Sequence, residues 1–237
     1  MADTLSRQSP LQDWQSRFAE LPSSTQLAEE PCVTMVDLWV DPSGPGGAAA
    51  AGVLGVAALP TAASTAVDGA DTTVIWFGPD EWLVTSTTRG GEDLEAQLRE
   101  AVAEHDGAAV DVSAQRTTLR LRGAHARDVL AKGCSLDLHP SVFRPGAAAQ
   151  TMLGLAAVVL IPLDDNATDY RILVRSSFAR YLADAGGKTR AFAGNGADLR
   201  VADLKIAADG DAKSQADLKS AAVAGIVRAH RGAVRFS

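Results

Sequence analysis

The sequence is poor in the residues that carry recognisable chemistry. Two cysteines, Cys32 and Cys134, lie far apart in 237 residues, in no metal-ligand spacing, which fits a reducing compartment. The histidines, His105, His125, His139 and His230, are scattered and fall in no catalytic signature. No phosphate-binding glycine loop occurs. The nearest stretch, Gly44-Pro45-Gly46-Gly47, lacks both the lysine and the strand-to-helix context. There is no Gly-x-Ser-x-Gly elbow and no zinc spacing. The start, MADTLSRQSPLQDW, lacks the layout of a secretory leader, and no apolar run approaches the roughly 20 residues that span a bilayer. A cytoplasmic protein is expected. Positive charge is also in deficit: 22 lysines and arginines face 29 acidic residues, a net charge of -7. That balance argues against nucleic acid or an anionic membrane as partner.

What remains is a chain with a core to build but few aromatics, 5% against a hydrophobic share of 46%. The most legible stretch runs from Ala109 to Pro140. Ala109 to Val112 is a short apolar strand, and Gln115 to Arg122 alternates strictly. Arg116, Thr118, Arg120 and Arg122 fall on one face, with Thr117, Leu119 and Leu121 on the other, so one face is expected to be buried. Gly123 turns the chain, Ala124 to Lys132 reads as a helix, and Gly133 ends it.

The same reading extends both ways. Ser9 to Leu21 is predicted as an amphipathic helix, capped by Ser9 with Pro10 first and Gln12 at the third position. Its stripe, Leu11, Trp14, Phe18 and Leu21, must dock either on its own domain or on a partner chain. Pro31 to Asp41 is a central strand, Pro42 to Gly47 a loop, and Ala48 to Leu59 a small-residue helix. Thr72 to Phe77 and Glu81 to Thr85 form a hairpin about Gly78-Pro79-Asp80, with Trp82 buried beside Trp76. Glu92 to Glu104 is a helix with acidic residues in its first turn. Gln150 to Leu155, Ala157 to Leu163 and Tyr170 to Val174 are strands, followed by a helix from Ser176 or Ser177 through Leu182. Hairpins without a regular βαβ repeat indicate an α+β fold of mixed, largely antiparallel sheets with short helices.

Candidate chemistry is thin. Cys134 follows a helix C-terminus, where the dipole disfavours a thiolate. Asp80-Glu81 and Asp164-Asp165 suit turns that cap backbone amides rather than acid–base pairs. The arginine face of Arg116, Arg120 and Arg122 reads as a solvated face, an anion site or half of an interfacial ion-pair set.

Several motifs together carry a resemblance. GPDEWLV at Gly78 to Val84, DVSAQRTTLRLRG at Asp111 to Gly123, ARDVLAKGCSLDLHP at Ala126 to Pro140 and DYRILVRSSFARYL at Asp169 to Leu182 resemble the gamma subunit of heterotetrameric sarcosine oxidase. Ser9-Pro10-Leu11, Leu59-Pro60, Phe143 and Gln150-Thr151 fit the same order. The resemblance covers residues 8–183. It implies the fold of the folate-binding domain of the glycine-cleavage T-protein. It also implies a non-catalytic structural subunit of a flavoenzyme that converts sarcosine to glycine, giving hydrogen peroxide and 5,10-methylenetetrahydrofolate. In that family FAD, FMN, NAD and tetrahydrofolate belong to the alpha and beta subunits, and zinc to delta. This chain is then expected to have no catalytic, cofactor-binding or metal-binding residue, with alpha, beta and delta as partners. Candidate subunit contacts are Arg116, Arg120, Arg122, Trp14 and Phe18.

The gamma-like domain is expected over residues 8–183, divisible near 107 into two α+β halves, with 184–237 as an Ala, Gly and Lys-containing flexible tail. Ala185-Gly186-Gly187 is expected to stop the last helix where the family would continue it. The alternative, a stand-alone folate-binding or aminomethyltransferase-like protein, is disfavoured because the T-protein is longer and no folate carboxylate motif can be placed here.

Overall fold

The structure, a computed structural model, describes residues 7–188. These lie in one compact unit, Met1–Gly196. The expected tail lies outside the described residues from 189 onward.

A short 3-10 turn at Gln12–Trp14 leads into α1 (Gln15–Ala19), β1 (Gln26–Glu30), β2 (Thr34–Trp39) and α2 (Pro45–Leu54). Then come β3 (Ala66–Asp68), β4 (Thr73–Gly78), β5 (Glu81–Ser86), α3 (Gly91–Val102) and β6 (Ala108–Asp111). The remainder is β7 (Arg116–Arg122), α4 (Ala126–Ala131), β8 (Ala149–Leu153), β9 (Ala156–Pro162), β10 (Asp169–Arg175) and α5 (Ala179–Lys188). Two five-stranded sheets result, β1-β7-β10-β9-β8 and β3-β4-β5-β2-β6, and every strand pairing within them is antiparallel. Each half of the chain lends a strand to the other: early β1 joins β7, and β6 pairs β2.

The strands divide their side chains by parity. Val36, Leu38, Val74, Trp82 and Val84 pack under α2 and α3. Leu119, Leu121, Val158, Leu160, Ile172 and Val174 pack under the other helices. The alternate residues Met35, Ile75, Leu83, Val159, Ile161 and Leu173 meet between the sheets. The order of layers is therefore helices, sheet, sheet, helices. Central strands buried on both faces need continuous apolar runs, which explains why TVIWF and AVVLI do not alternate with polar residues.

Several elements differ from expectation. The first helix is a 3-10 turn plus a five-residue α1. Ser9 Oγ accepts from the Leu11 amide at 3.0 Å instead of reaching further into the helix. The glycine loop before Ala48 is the first turn of α2, with Pro45 at its start and Gly55, at φ 68°, ending it. Gly46 is there for close packing: a methyl group on it would sit 2.6 Å from His105 Cβ. Strands β1 and β3 were not expected, because QLAEE and AVD carry almost no apolar periodicity. The last helix is not stopped at Ala185: α5 runs through Gly186-Gly187 to Lys188. Glycine costs about 1 kcal/mol per helical position relative to alanine, which does not break a helix anchored by the buried Ala179, Leu182 and Ala183.

The hairpin of β4 and β5 has a concrete anchor. Pro79-Asp80 form its two-residue turn between β4 and β5. Trp82 is fully buried, opposite Trp76 in register, and its indole N–H donates to the Pro60 carbonyl at 2.8 Å. Thus Leu59-Pro60 and GPDEWLV, distant in sequence, meet in one contact.

Candidate functional site

The space between the sheets is apolar in its middle and charged at both ends. On the first sheet Leu173 lies opposite Thr118 in register, and both are buried. In one direction the same faces continue to Arg171 opposite Arg120 and Asp169 opposite Arg122. In the other they reach Arg175 opposite Arg116.

At the first end every charge has a partner. Arg120 places Nε 2.9 Å from Asp169 Oδ1 and Nη2 2.7 Å from Oδ2, a forked pair. Its Nη1 lies 3.5 Å from Glu30 Oε1. Arg171 holds Glu30 through Nε at 2.6 Å and Nη2 at 3.2 Å. Arg122 adds a longer contact to Asp169, 3.3 Å, from an exposed position. The Arg120 hydrogen bond holds the Asp169 carboxyl below its ordinary value, against an opposing push from burial. The same bond raises the Arg120 guanidinium. These groups tie β1, β7 and β10 together across the sheet, so Arg120 and Arg122 are engaged within the chain.

The second end is different. Half-buried Arg116 lies over the Phe77 ring, 5.4 Å from its centroid, and faces exposed Arg175 directly across the strand pair. Among the described residues neither arginine has a carboxylate within 4.0 Å. Burial first, then the Arg175 charge, lowers the Arg116 guanidinium, while Asp37 and Glu81 push it the other way. Burial pushes Asp37 up, offset by a hydrogen bond from the Trp39 side chain and by Arg116. One Asp37 oxygen is buried without a hydrogen-bond partner among the described residues. Burial likewise raises Glu81, reinforced by Asp37 and Asp80.

The aromatic candidates are core residues. Trp14 and Phe18 are buried with Leu11 against β7 and β10, their ring centroids 6.2 Å apart. Of the two dockings open to that stripe, the structure shows the one on the chain's own domain. Arg17 covers the outer face of Trp14 at 4.5 Å. Rings so placed have little area to offer a second chain. Arg175, by contrast, was missed from the sequence; the signal was the register that sets it opposite Arg116, which only strand pairing reveals.

No group of three or more histidine, cysteine or acidic residues could hold a metal ion among the described residues. Both cysteines are free, Cys32 exposed and Cys134 buried. A cleft of about 90 Å³ lies beside Asp68, Thr73, Gly146 and Arg171. Ligand pockets usually measure roughly 300–1,000 Å³, so this one suits a few waters rather than a pterin. No helix of the described residues is long and apolar enough to cross a membrane.

The sheet pair flanked by helices defines a class first. The fold resembles that of glycine cleavage system aminomethyltransferase T from Bartonella henselae, with a TM-score of 0.53 over 74% of this chain and 49% of that one, at 12% identity. A closer likeness is to a chain of the heterotetrameric sarcosine oxidase from Corynebacterium sp. U-96, solved in complex with pyrrole 2-carboxylate. There the TM-score is 0.73 at 31% identity, covering 82% of this chain and 99% of that one. Residues 40–185 match the model of the "Sarcosine oxidase, gamma subunit family". Sarcosine oxidase subunit gamma of Corynebacterium sp. (strain U-96) is 34% identical over 155 residues, 65% of this chain and 74% of that subunit. The Arthrobacter sp. subunit gamma is 35% identical over 134 residues, 56% and 65% of the two chains. The chain belongs to the sarcosine oxidase gamma subunit family.

Proposed function

We propose that this chain is the gamma subunit of a heterotetrameric sarcosine oxidase and that its part in the assembly is structural. The observation that carries this reading is its match over 99% of a chain from a heterotetrameric enzyme. In this reading the assembly demethylates sarcosine oxidatively to glycine, with hydrogen peroxide and 5,10-methylenetetrahydrofolate as products. The alpha and beta subunits carry FAD, FMN, NAD and tetrahydrofolate, delta carries zinc, and gamma contributes no reacting group. The two charged ends of the sheet pair support this division. Their carboxylates are either held by arginines or opposed by them. The expected setting is the cytoplasm, to which a net charge of -7 and two unpaired cysteines are suited.

The test is co-expression of the four subunits with and without this chain, followed by size-exclusion chromatography and flavin content. Loss of the full-size complex without gamma is the expected result. Assembly and turnover unchanged by its omission would exclude a structural role. Tetrahydrofolate titrated into the purified chain should give no micromolar binding; saturation in that range would favour a stand-alone folate binder.

A further inference from the structure

One surface combines open apolar side chains with charge that no other described residue answers. It is the end of the sheet pair where the apolar filling stops. On the second sheet the row that begins with buried Met35 continues through Asp37 to Trp39, 43% exposed. Next to it on edge strand β6, Val110 lies opposite Asp37 and is 53% exposed. On the facing sheet the row that begins with buried Leu173 ends in Arg175, opposite Arg116. Gln150 of β8 closes the side, its amide donating to the Phe77 carbonyl at 3.0 Å.

Like charges directly opposed across antiparallel strands destabilise a sheet. The other end of the same strands shows the alternative, with Arg120 and Arg171 also adjacent but bridged by Glu30, while Asp169 further engages Arg120. At the Arg116 and Arg175 end no described residue supplies that carboxylate within 4.0 Å, and Asp37 and Glu81 rise from the opposite sheet beyond ion-pair distance. A large indole and a valine stand open beside them. Charged groups rimming an apolar centre are the layout of a protein contact.

We infer that this mouth between the sheets is where another subunit docks, through an acidic segment that places a carboxylate between Arg116 and Arg175 and an apolar side chain against Trp39 and Val110. The inference rests on the reading of the chain as a subunit and adds where, and with what chemistry, the partner binds. It also sorts the arginine face: Arg120 and Arg122 hold the chain together, and Arg116 with Arg175 reaches outward.

The experiment uses the full-length chain co-expressed with the other subunits, as wild type, Arg175→Glu, Trp39→Ser, and Arg99→Glu on the outer side of α3 as control. In Arg175→Glu an acid faces Arg116 within the chain. Its isolated thermal midpoint should hold or rise, while its affinity for the other subunits falls at least tenfold. Trp39→Ser should weaken assembly at least tenfold while its own midpoint falls only slightly, by loss of the hydrogen bond to Asp37, and Arg99→Glu should assemble as wild type. Normal assembly of both mouth variants overturns the docking site and leaves the subunit reading intact. A drop in the midpoint of Arg175→Glu would make the arginine internal and also overturns it. So would citrate stabilising the isolated wild type but not Arg175→Glu while assembly is unaffected, which would assign the mouth to a small anion. Failure of the wild type itself to assemble overturns both readings at once.

Discussion

Arg120 and Asp169 show how much a single pair can set. Both side chains are mostly buried, and two parallel bonds join them. Replacing Asp169 with Asn removes the charge and turns one acceptor into a donor, leaving Arg120 at most one neutral bond there beside its long contact to Glu30, and should cost about 2 kcal/mol, the scale of charge-assisted bonds lost from a partly buried site. The pH dependence has a fixed sign. Asp169 titrates below its ordinary value of 3.8 in the folded chain, so its contribution is complete above that pH and disappears as pH falls through the lower folded value. Asp37 and Glu81 act oppositely: stability tied to them declines as pH rises from their ordinary values of 3.8 and 4.5 through their raised ones. Urea unfolding of wild type and Asp169→Asn at pH 7 and near pH 3 should therefore show a gap that narrows in acid. A gap independent of pH would remove the ion pair from the account. Thr118 offers a second test. Its side chain is fully buried, and its hydroxyl has no partner among the described residues. Thr118→Val should stabilise by about 1 kcal/mol in the same assay, the saving from a buried unmet donor.

At the scale of elements, sequence periodicity was a good guide wherever one face is buried. Strand β7 could be placed to within a residue because arginines alternate with Leu119 and Leu121, although its arginine face is covered as well, with Thr118 fully buried between the sheets. Strand β1 could not: Glu29 and Glu30 suggest solvent, yet Glu29 is buried and accepts from the Thr117 hydroxyl at 2.7 Å. Polar residues that are satisfied across a strand pair look like loop residues until the pairing is known. The candidate contacts failed to sort for the same reason. Whether Arg116 or Arg120 has a carboxylate partner depends on what β1 and β10 bring alongside. Gly123, predicted as a turn, is more constrained than its sequence shows. It has φ 124°, and a methyl there would collide with the Ser24 carbonyl. Gly123→Ala should lower stability by about 2 kcal/mol or more, combining backbone strain with displaced packing. Thermal unfolding with an unchanged midpoint would contradict that placement.

For the molecule as a whole, fold class and family were legible because motifs spaced along residues 8–183 keep their order, and Trp82 bonding to Pro60 shows one reason that order matters. The interleaving of the two halves was not legible, since nothing local states that β1 crosses to the far sheet. A chain built this way presents two sheets with a mouth at their end. The central claim, that gamma is needed to assemble the enzyme and supplies none of its reacting groups, is tested most directly by purifying the co-expressed subunits with and without this chain. The account predicts one gamma in each full-size complex, loss of that complex and its flavin when gamma is omitted, and no sarcosine oxidation by gamma alone. A full-size, flavin-loaded and fully active enzyme formed without gamma would contradict it.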